Sequence, residues 1–401
     1  MAVPSAQDTQ KHVIEKLEVL LSSSDEQPRS SVHTFSRRTL LAAVPGLALI
    51  AAGVACGDDD DDSSPAPTAT TAPASSANTS PTAAEEASPT AEEESTPAES
   101  GSTGGWTFVD DRGETISRDT QPTRVVAYLP IAASLWDFGV EVVGVFGTTV
   151  RPDGTPEIYA GNVDLDKVVS LGETYGEIDL EKLVDLKPEL VVFDIYDTAE
   201  FDLWGLPADA VDQVASIADL VGISFVGAPV TSTIERIGEL AEAVGADLSA
   251  AAVVGDRDAF ETASPSVRDA LADKAELPSL FVAAWPENLY VANPQIWGDL
   301  LYFKELGLDI VVPDVPEKEL WETLSWEQAN KYPSDIILND ARATALTEDD
   351  LAGYPTWQAH PAVKAGQVGP WFTEFVPSYL GFTTVLDSLV ETISGSDPDV
   401  V

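Results

Sequence analysis

Short β-rich runs alternate with helical patterns from Trp106 onward, and this alternation limits the fold more than any other feature of the sequence. Residues 124–128 form one such run, and a helical pattern follows it directly. An amphipathic pattern at residues 178–186 leads into a buried run at residues 188–194, and the alternation resumes after residue 279. Strands that alternate with helices form parallel sheets with helical crossovers. The sequence therefore predicts an α/β fold with two lobes, each with a mostly parallel sheet flanked by helices, joined by a single long helical segment.

Five segments divide the 401 residues. We expect an N-terminal region with an export signal at residues 1–56 and an acidic linker at residues 57–105. The N-terminal lobe is expected at residues 106–230, a helical bridge at residues 231–277 and the C-terminal lobe at residues 278–401. The linker is rich in Ser, Thr, Pro, Ala and Glu and has almost no large apolar residue, so we expect it to be disordered. Pro265 lies inside the bridge, where proline is expected to kink or break a helix.

The N-terminal region carries an export signature. Arg37 and Arg38 stand just before an apolar run of 15 residues at positions 40–54. A membrane-spanning helix needs about 20 apolar residues, so the run fits the core of a signal peptide, and an uncleaved membrane anchor is the alternative. The arginine pair resembles the twin-arginine export signal. Residues 53–56 resemble the lipobox of bacterial lipoproteins, which implies that Cys56 is lipidated and holds the exported protein on the cell membrane through the flexible linker.

The charge of the chain excludes one class of partner. The sequence has 68 acidic and 21 basic residues, a formal net charge of −47. Nucleic acids are bound by basic surfaces, so a nucleic-acid partner is not expected. An acidic surface tolerates neutral or cationic ligands. Since Cys56 is the single cysteine, the chain forms no internal disulfide.

Four segments occur in the order found in class III solute-binding proteins, and the chain is similar to that family. They are a strand and helix at residues 124–139, an "LE" helix that runs into "KPELV" at residues 177–192, its counterpart at residues 324–338, and a "W…HPAVKAGQV" segment at residues 357–368. These proteins feed importers of siderophores, haem and vitamin B12. The resemblance implies a monomer that holds its ligand in the cleft between two lobes, needs no cofactor, and passes the ligand to the permease subunits of an ABC importer.

The resemblance also implies two contacts with the importer. Glu181 and Glu327 open the equivalent helices of the two lobes, and in the family such acids dock onto basic residues of the membrane subunits. An acid in the first turn of a helix also stabilises the helix dipole by about 0.3–1 kcal/mol, so both roles are compatible.

Ligand-binding residues are expected where strands end, because open α/β sheets bind ligands at the carboxyl ends of their strands. Tyr and Trp offer a large contact area with a polar edge, and Arg can bind two oxygens of a hydroxamate or carboxylate. By resemblance, Tyr175 and Trp371 also match positions where an aromatic residue faces the ligand. The predicted ligand-binding residues are Tyr128, Thr149, Arg151, Tyr175, Tyr196, Trp285, Arg342, Trp371 and Phe372.

The favoured interpretation is an extracellular lipoprotein that binds an iron–siderophore or a similar metal chelate for an ABC importer. A carrier of bare zinc or manganese would need several histidines, and beyond Cys56 the sequence has His360 alone, so no metal site is expected. An enzyme is not expected either, since the G-x-S-x-G, G-x-x-x-x-G-K-[ST] and H-E-x-x-H motifs are absent from the sequence. A haem or cobalamin binder of the same family, and an extracellular sensor without a transport role, are the open alternatives.

Overall fold

The computed structural model describes residues 105–196, 203–274 and 276–401. The export signal, Cys56 and all but the last residue of the linker therefore lie outside the described residues. The boundaries expected for the five segments stay predictions. Within the described ranges, no helix is both long enough and apolar enough to cross a membrane.

A short hairpin begins the described part of the chain. Strand β1 (Trp106–Val109) pairs antiparallel with β2 (Thr115–Arg118). The buried carboxylate of Asp110 accepts hydrogen bonds from the backbone N–H groups of Arg112 and Gly222, at 3.0 and 2.9 Å. These bonds order the turn and fasten the hairpin to the N-terminal lobe.

The N-terminal lobe is a parallel sheet flanked by helices. Its elements in chain order are β3 (Val125–Tyr128), α1 (Leu129–Asp137), β4 (Gly144–Phe146), β5 (Val169–Ser170), α2 (Leu180–Leu186), β6 (Leu190–Ile195), α3 (Ala208–Ala215), β7 (Asp219–Ser224) and α4 (Val230–Ala243). The five strands are all parallel, in the order β5-β4-β3-β6-β7. Every residue of β6 is buried, as expected for a central strand covered on both faces.

The long helix α5 (Ala251–Leu271) connects the two lobes. It continues through Pro265, so the proline does not end the helix. The buried ring of Phe260 on α5 lies 6.4 Å from the ring of Phe382 on the C-terminal helix. Packing of this kind offsets the roughly 3 kcal/mol that proline costs inside a helix.

The C-terminal lobe has a mixed sheet. Its elements are β8 (Ser279–Ala284), β9 (Leu289–Ala292), α6 (Gly298–Glu305), β10 (Trp321–Leu324), β11 (Ile336–Asp340), α7 (Glu348–Leu351), α8 (Pro355–Gln358), α9 (Pro361–Ala365), β12 (Val368–Trp371) and α10 (Tyr379–Gly395). The strand order is β10-β9-β8-β11-β12, with β8, β11 and β12 parallel and the other two pairs antiparallel. The short loop at residues 285–288 cannot hold a crossover helix, so β9 runs antiparallel to β8. The expected fold class is confirmed, with this antiparallel edge as a detail of the second sheet.

The two lobes also touch outside the bridge. The backbone N–H of Gly227 donates to the carbonyl of Ile296 at 2.7 Å. Beside this bond, Gly298 lies so close to the N-terminal lobe that an added Cβ would stand 2.9 Å from the carbonyl oxygen of Ala228 and 3.0 Å from that of Phe225. Only glycine therefore fits at position 298 without moving the lobes apart.

Candidate ligand-binding site

The carboxyl ends of strands from both lobes meet at the boundary between the lobes. Tyr128 ends β3 and Tyr196 directly follows β6, while Trp371 ends β12 and Arg342 follows β11. We call the side chains at these strand ends, together with Glu374, the interlobe site. Open α/β sheets bind ligands at this end of their strands, so the interlobe site is the candidate for ligand binding.

A chain of hydrogen bonds joins the lobes at this site. The Tyr128 hydroxyl donates to one carboxylate oxygen of Glu374. Nη1 of Arg342 donates to the other oxygen of Glu374 at 2.7 Å. The same guanidinium donates from Nη2 and Nε to Asp340, at 2.7 and 2.9 Å. Glu374 is thus bonded to a tyrosine of one lobe and an arginine of the other.

The pKa shifts of this network fix the protonation of its donors. Burial raises the pKa of the Tyr128 hydroxyl well above its ordinary value, and the negative charge of Glu374 raises it further. Burial alone would lower the pKa of Arg342, but the carboxylates of Glu374 and Asp340 outweigh this effect, so that pKa is raised. Both groups therefore keep their protons and act as donors over the physiological pH range.

A cluster of tryptophans lies behind the network in the C-terminal lobe. The ring centres of Trp297, Trp321 and Trp371 lie 4.9 to 5.6 Å apart. Across the boundary, the ring of Tyr196 lies 5.5 Å from that of Trp297. Nε1 of Trp371 donates to Oδ2 of Asp299 at 2.6 Å, and burial raises the pKa of Asp299 to about 7. Trp371 is 1% exposed, so in this structure it forms the buried wall of the site.

Thr149 and Arg151 lie on the N-terminal side and bind neighbouring acids. The Thr149 hydroxyl donates to Glu173 at 2.6 Å, and Nη1 of Arg151 donates to Glu157 at 3.1 Å. Burial raises the pKa of Glu157, and the hydrogen bond from the backbone N–H of Ile158 and the charge of Arg151 oppose this rise in part. The negative charge of Glu374 in the C-terminal lobe raises the pKa of Glu157 further.

The remaining predicted residues are more accessible. Tyr175 is 64% exposed, and its ring lies 5.8 Å from that of Trp204, which in turn lies 6.0 Å from Tyr128. Trp285 is 37% exposed, and its ring lies 6.1 Å from that of Tyr290. Phe372 is partly buried. These rings extend from the buried centre of the site toward solvent.

Sequence reasoning missed several residues that the structure brings to the site. Glu374 lies three positions beyond the end of β12, where the strand-end rule could have found it. Glu157 caps a short 3₁₀ helix and Trp297 caps α6, and both lie well beyond the end of the preceding strand. No pattern in the sequence marks these two positions.

A surface depression of about 640 Å³ lies away from the interlobe site. Trp106, Arg118 and Asp219 are among the residues that line it. Asp219 begins β7, so the depression lies at the amino end of that strand, opposite the end at which ligands bind. It is therefore not the candidate site.

The two acids predicted to dock onto an importer are both exposed. Glu181 lies in the first turn of α2, and Glu327 lies in the 3₁₀ helix Trp326–Gln328. Hydrogen bonds from its own backbone N–H and from Ser325 lower the pKa of Glu327, so it is ionised at neutral pH. Across residues 105–196, 203–274 and 276–401, no group of three or more His, Cys, Asp and Glu side chains could hold a metal ion.

Comparison with known proteins identifies the family. Residues 126–371 match the periplasmic binding protein family. The chain is 40% identical to DesE, a ferric-siderophore receptor protein from Streptomyces coelicolor, over 73% of this chain and 99% of that one, with a TM-score of 0.69. No curated protein sequence matches the chain.

More distant structures share the fold. The petrobactin-binding protein YclQ from Bacillus subtilis is 15% identical over 72% of this chain and 98% of its own, with a TM-score of 0.55. The triscatecholate siderophore-binding protein FeuA from the same organism is 16% identical over 70% and 96%, with a TM-score of 0.52. The family consists of ligand-binding proteins that act outside the cytoplasm, which confirms that the chain is not an enzyme. By its sequence match, its two-lobed fold and its similarity to DesE, the chain belongs to the periplasmic binding protein family.

Proposed function

We propose that the protein captures a ferric siderophore, or a similar metal chelate, at the interlobe site and delivers it to an ABC importer. The observation that carries the proposal is the Tyr128–Glu374–Arg342 network, which places donors from both lobes at the strand ends. The 40% identity to a ferric-siderophore receptor over almost all of that protein supports the same ligand class.

The chemistry of the site suits an oxygen-rich chelate. A ligand that parts the lobes replaces the Tyr128–Glu374 bond and gains a hydroxyl donor from one lobe. A guanidinium fork such as that of Arg342 can then donate to oxygens around the iron. The aromatic side chains supply contact area for the organic part of the chelate.

Tryptophan fluorescence tests the ligand class directly. The full chain is titrated with a ferric hydroxamate, a ferric catecholate, haem and cobalamin, and each ferric chelate is paired with its iron-free form. We expect saturable quenching by a ferric siderophore, because Trp297, Trp321 and Trp371 lie directly behind the hydrogen-bond network of the site. Saturation by haem or cobalamin alone would assign the protein to that ligand instead. No response to any of the four compounds would contradict the proposal.

A pair of variants locates the binding. Arg342→Gln removes the guanidinium at the interlobe site and should weaken siderophore binding by at least about tenfold. Arg268→Gln changes an exposed arginine in the last turn of α5 and should leave binding unchanged. Equal effects of the two substitutions would place the ligand elsewhere.

Delivery and anchoring are proposed on the exposed acids and on Cys56. With Glu181→Arg and Glu327→Arg combined, siderophore uptake by cells should fall while binding to the purified protein persists. Asp258→Arg and Glu261→Arg combined, two exposed positions of α5, serve as the charge-matched control. Cys56→Ser should release the protein from the membrane into the medium. Uptake that continues without the protein would favour a sensor over a transport component.

A further inference from the structure

More acidic than basic groups surround the two tyrosines of the interlobe site. Besides burial, the negative charges of Glu374, Asp194 and Asp299 raise the pKa of Tyr196, and Arg342 acts in the opposite sense. Burial and the negative charges of Glu374 and Asp194 likewise raise the pKa of Tyr128. A ligand held against these two tyrosines therefore lies in the field of several carboxylates and one guanidinium.

The positive charges of Arg342 and of nearby Arg151 are already paired with carboxylates. Arg342 faces two carboxylates, with Asp340 and Glu374 each 2.7 Å from the guanidinium. Arg151 forms an ion pair with the buried carboxylate of Glu157 at 3.1 Å. One guanidinium between two carboxylates leaves one surplus negative charge. An anionic ligand is therefore repelled at this position.

Glu374 is the acid of the interlobe site that is bonded to both lobes. Its side chain is 16% exposed and stands between a donor of each lobe. A ligand that parts the lobes removes the Tyr128 hydroxyl from Glu374 but leaves Arg342 bonded to Asp340. The Glu374 carboxylate, which has lost the Tyr128 hydroxyl but is still paired with Arg342, then borders the ligand and adds the surplus negative charge there.

We infer that Glu374 makes the interlobe site selective for ferric chelates with zero or positive net charge. The inference rests on the proposed function and names the chelate class within it. A ferric trihydroxamate, which has no net charge at its iron centre, satisfies this requirement. A ferric tricatecholate carries three negative charges and is disfavoured, because like charges brought together at a desolvated contact weaken binding.

A charge series on one chelate tests the inference. Ferrioxamine B and its N-acetyl and N-succinyl derivatives share an iron centre and carry one positive charge, no charge and one negative charge. Their affinities for the full chain are measured by calorimetry, together with that of ferric enterobactin. We expect the cationic form to bind about 10- to 100-fold more tightly than the anionic form. Glu374→Gln should reduce this ratio by about tenfold, whereas Glu391→Gln at an exposed position of α10 should not.

The outcomes separate the inference from the proposed function. Equal affinities across the series in the wild-type protein, or a ratio unchanged by Glu374→Gln, would overturn the selectivity while leaving siderophore binding intact. Failure of every ferric chelate to bind would overturn the proposed function itself. If Glu374→Gln does not fold, the affinities of the wild-type protein for the cationic and anionic chelates are measured between about 0.05 M and about 0.5 M salt. The ratio of these two affinities must fall as the salt concentration rises.

Discussion

Replacing Asp299 by Asn should make the stability of the protein less dependent on pH. The Asp299 side chain is buried beside the interlobe site and accepts a hydrogen bond from Trp371 at 2.6 Å. Burial raises its pKa from 3.8 to about 7. Asparagine has no proton to lose, and its carbonyl oxygen can still accept the hydrogen bond from the indole N–H.

The size of the effect follows from the shift in pKa. Between about pH 4 and about pH 7 the native protein keeps a proton that the unfolded chain has released, so its stability falls as the pH rises. This contribution is fully present below the unfolded pKa and is lost once the pH passes the folded pKa. A shift of about three units corresponds to about 4 kcal/mol in total, of which about 2–3 kcal/mol is lost between about pH 5 and about pH 8.

Urea unfolding at these two pH values measures the difference. Between about pH 5 and about pH 8, the free energy of unfolding of the wild-type protein should fall by about 2–3 kcal/mol more than that of Asp299→Asn. Asp258→Asn, an exposed acid on α5, removes one charge of the strongly acidic surface and should follow the wild-type protein. If the free energy of unfolding changed equally with pH in the wild-type protein and in Asp299→Asn, burial would not raise the pKa of Asp299.

Three further substitutions test the contacts between the lobes. Tyr128→Phe removes the hydrogen bond to Glu374 and should lower the free energy of unfolding by about 1–2 kcal/mol in urea titrations; no loss would mean that the bond does not form in solution. Arg342→Met leaves two carboxylates without their cation and should cost about 3–5 kcal/mol, a larger loss than that of Tyr128→Phe. Gly298→Ala forces a Cβ against the carbonyl of Ala228, which should lower the free energy of unfolding by about 1–3 kcal/mol in urea titrations; an unchanged free energy would refute the close approach.

The fold could be predicted well from the sequence because most helices and strands have a recognisable local pattern of apolar, capping and turn residues. Helix α2 shows how this works, since Asp179 caps its start and Lys187 ends it in a left-handed conformation before the buried run of β6. Pro265 shows the limit of such signals. Its local cost is outweighed by packing against a helix more than a hundred residues later, which no local pattern reveals.

The site was predictable in part. The strand-end rule placed Tyr128 and Arg342 at the boundary of the lobes, because it depends only on the order of strands and loops. The prediction stopped at Trp371 and Phe372 and did not extend to Glu374, which lies at the same strand end and could have been included by the same rule. Its significance lies in its two partners, which come from different lobes and lie 246 and 32 residues away along the chain.

The position of the iron in a complex tests the central claim most directly. Crystals of the protein grown with a ferric trihydroxamate and measured at the iron absorption edge locate the metal without reference to the protein atoms. We expect one anomalous peak between the lobes, next to Tyr128 and Arg342, with the Tyr128–Glu374 bond broken. A peak in the depression beside Trp106, or bound iron with that bond intact, would contradict capture between the lobes.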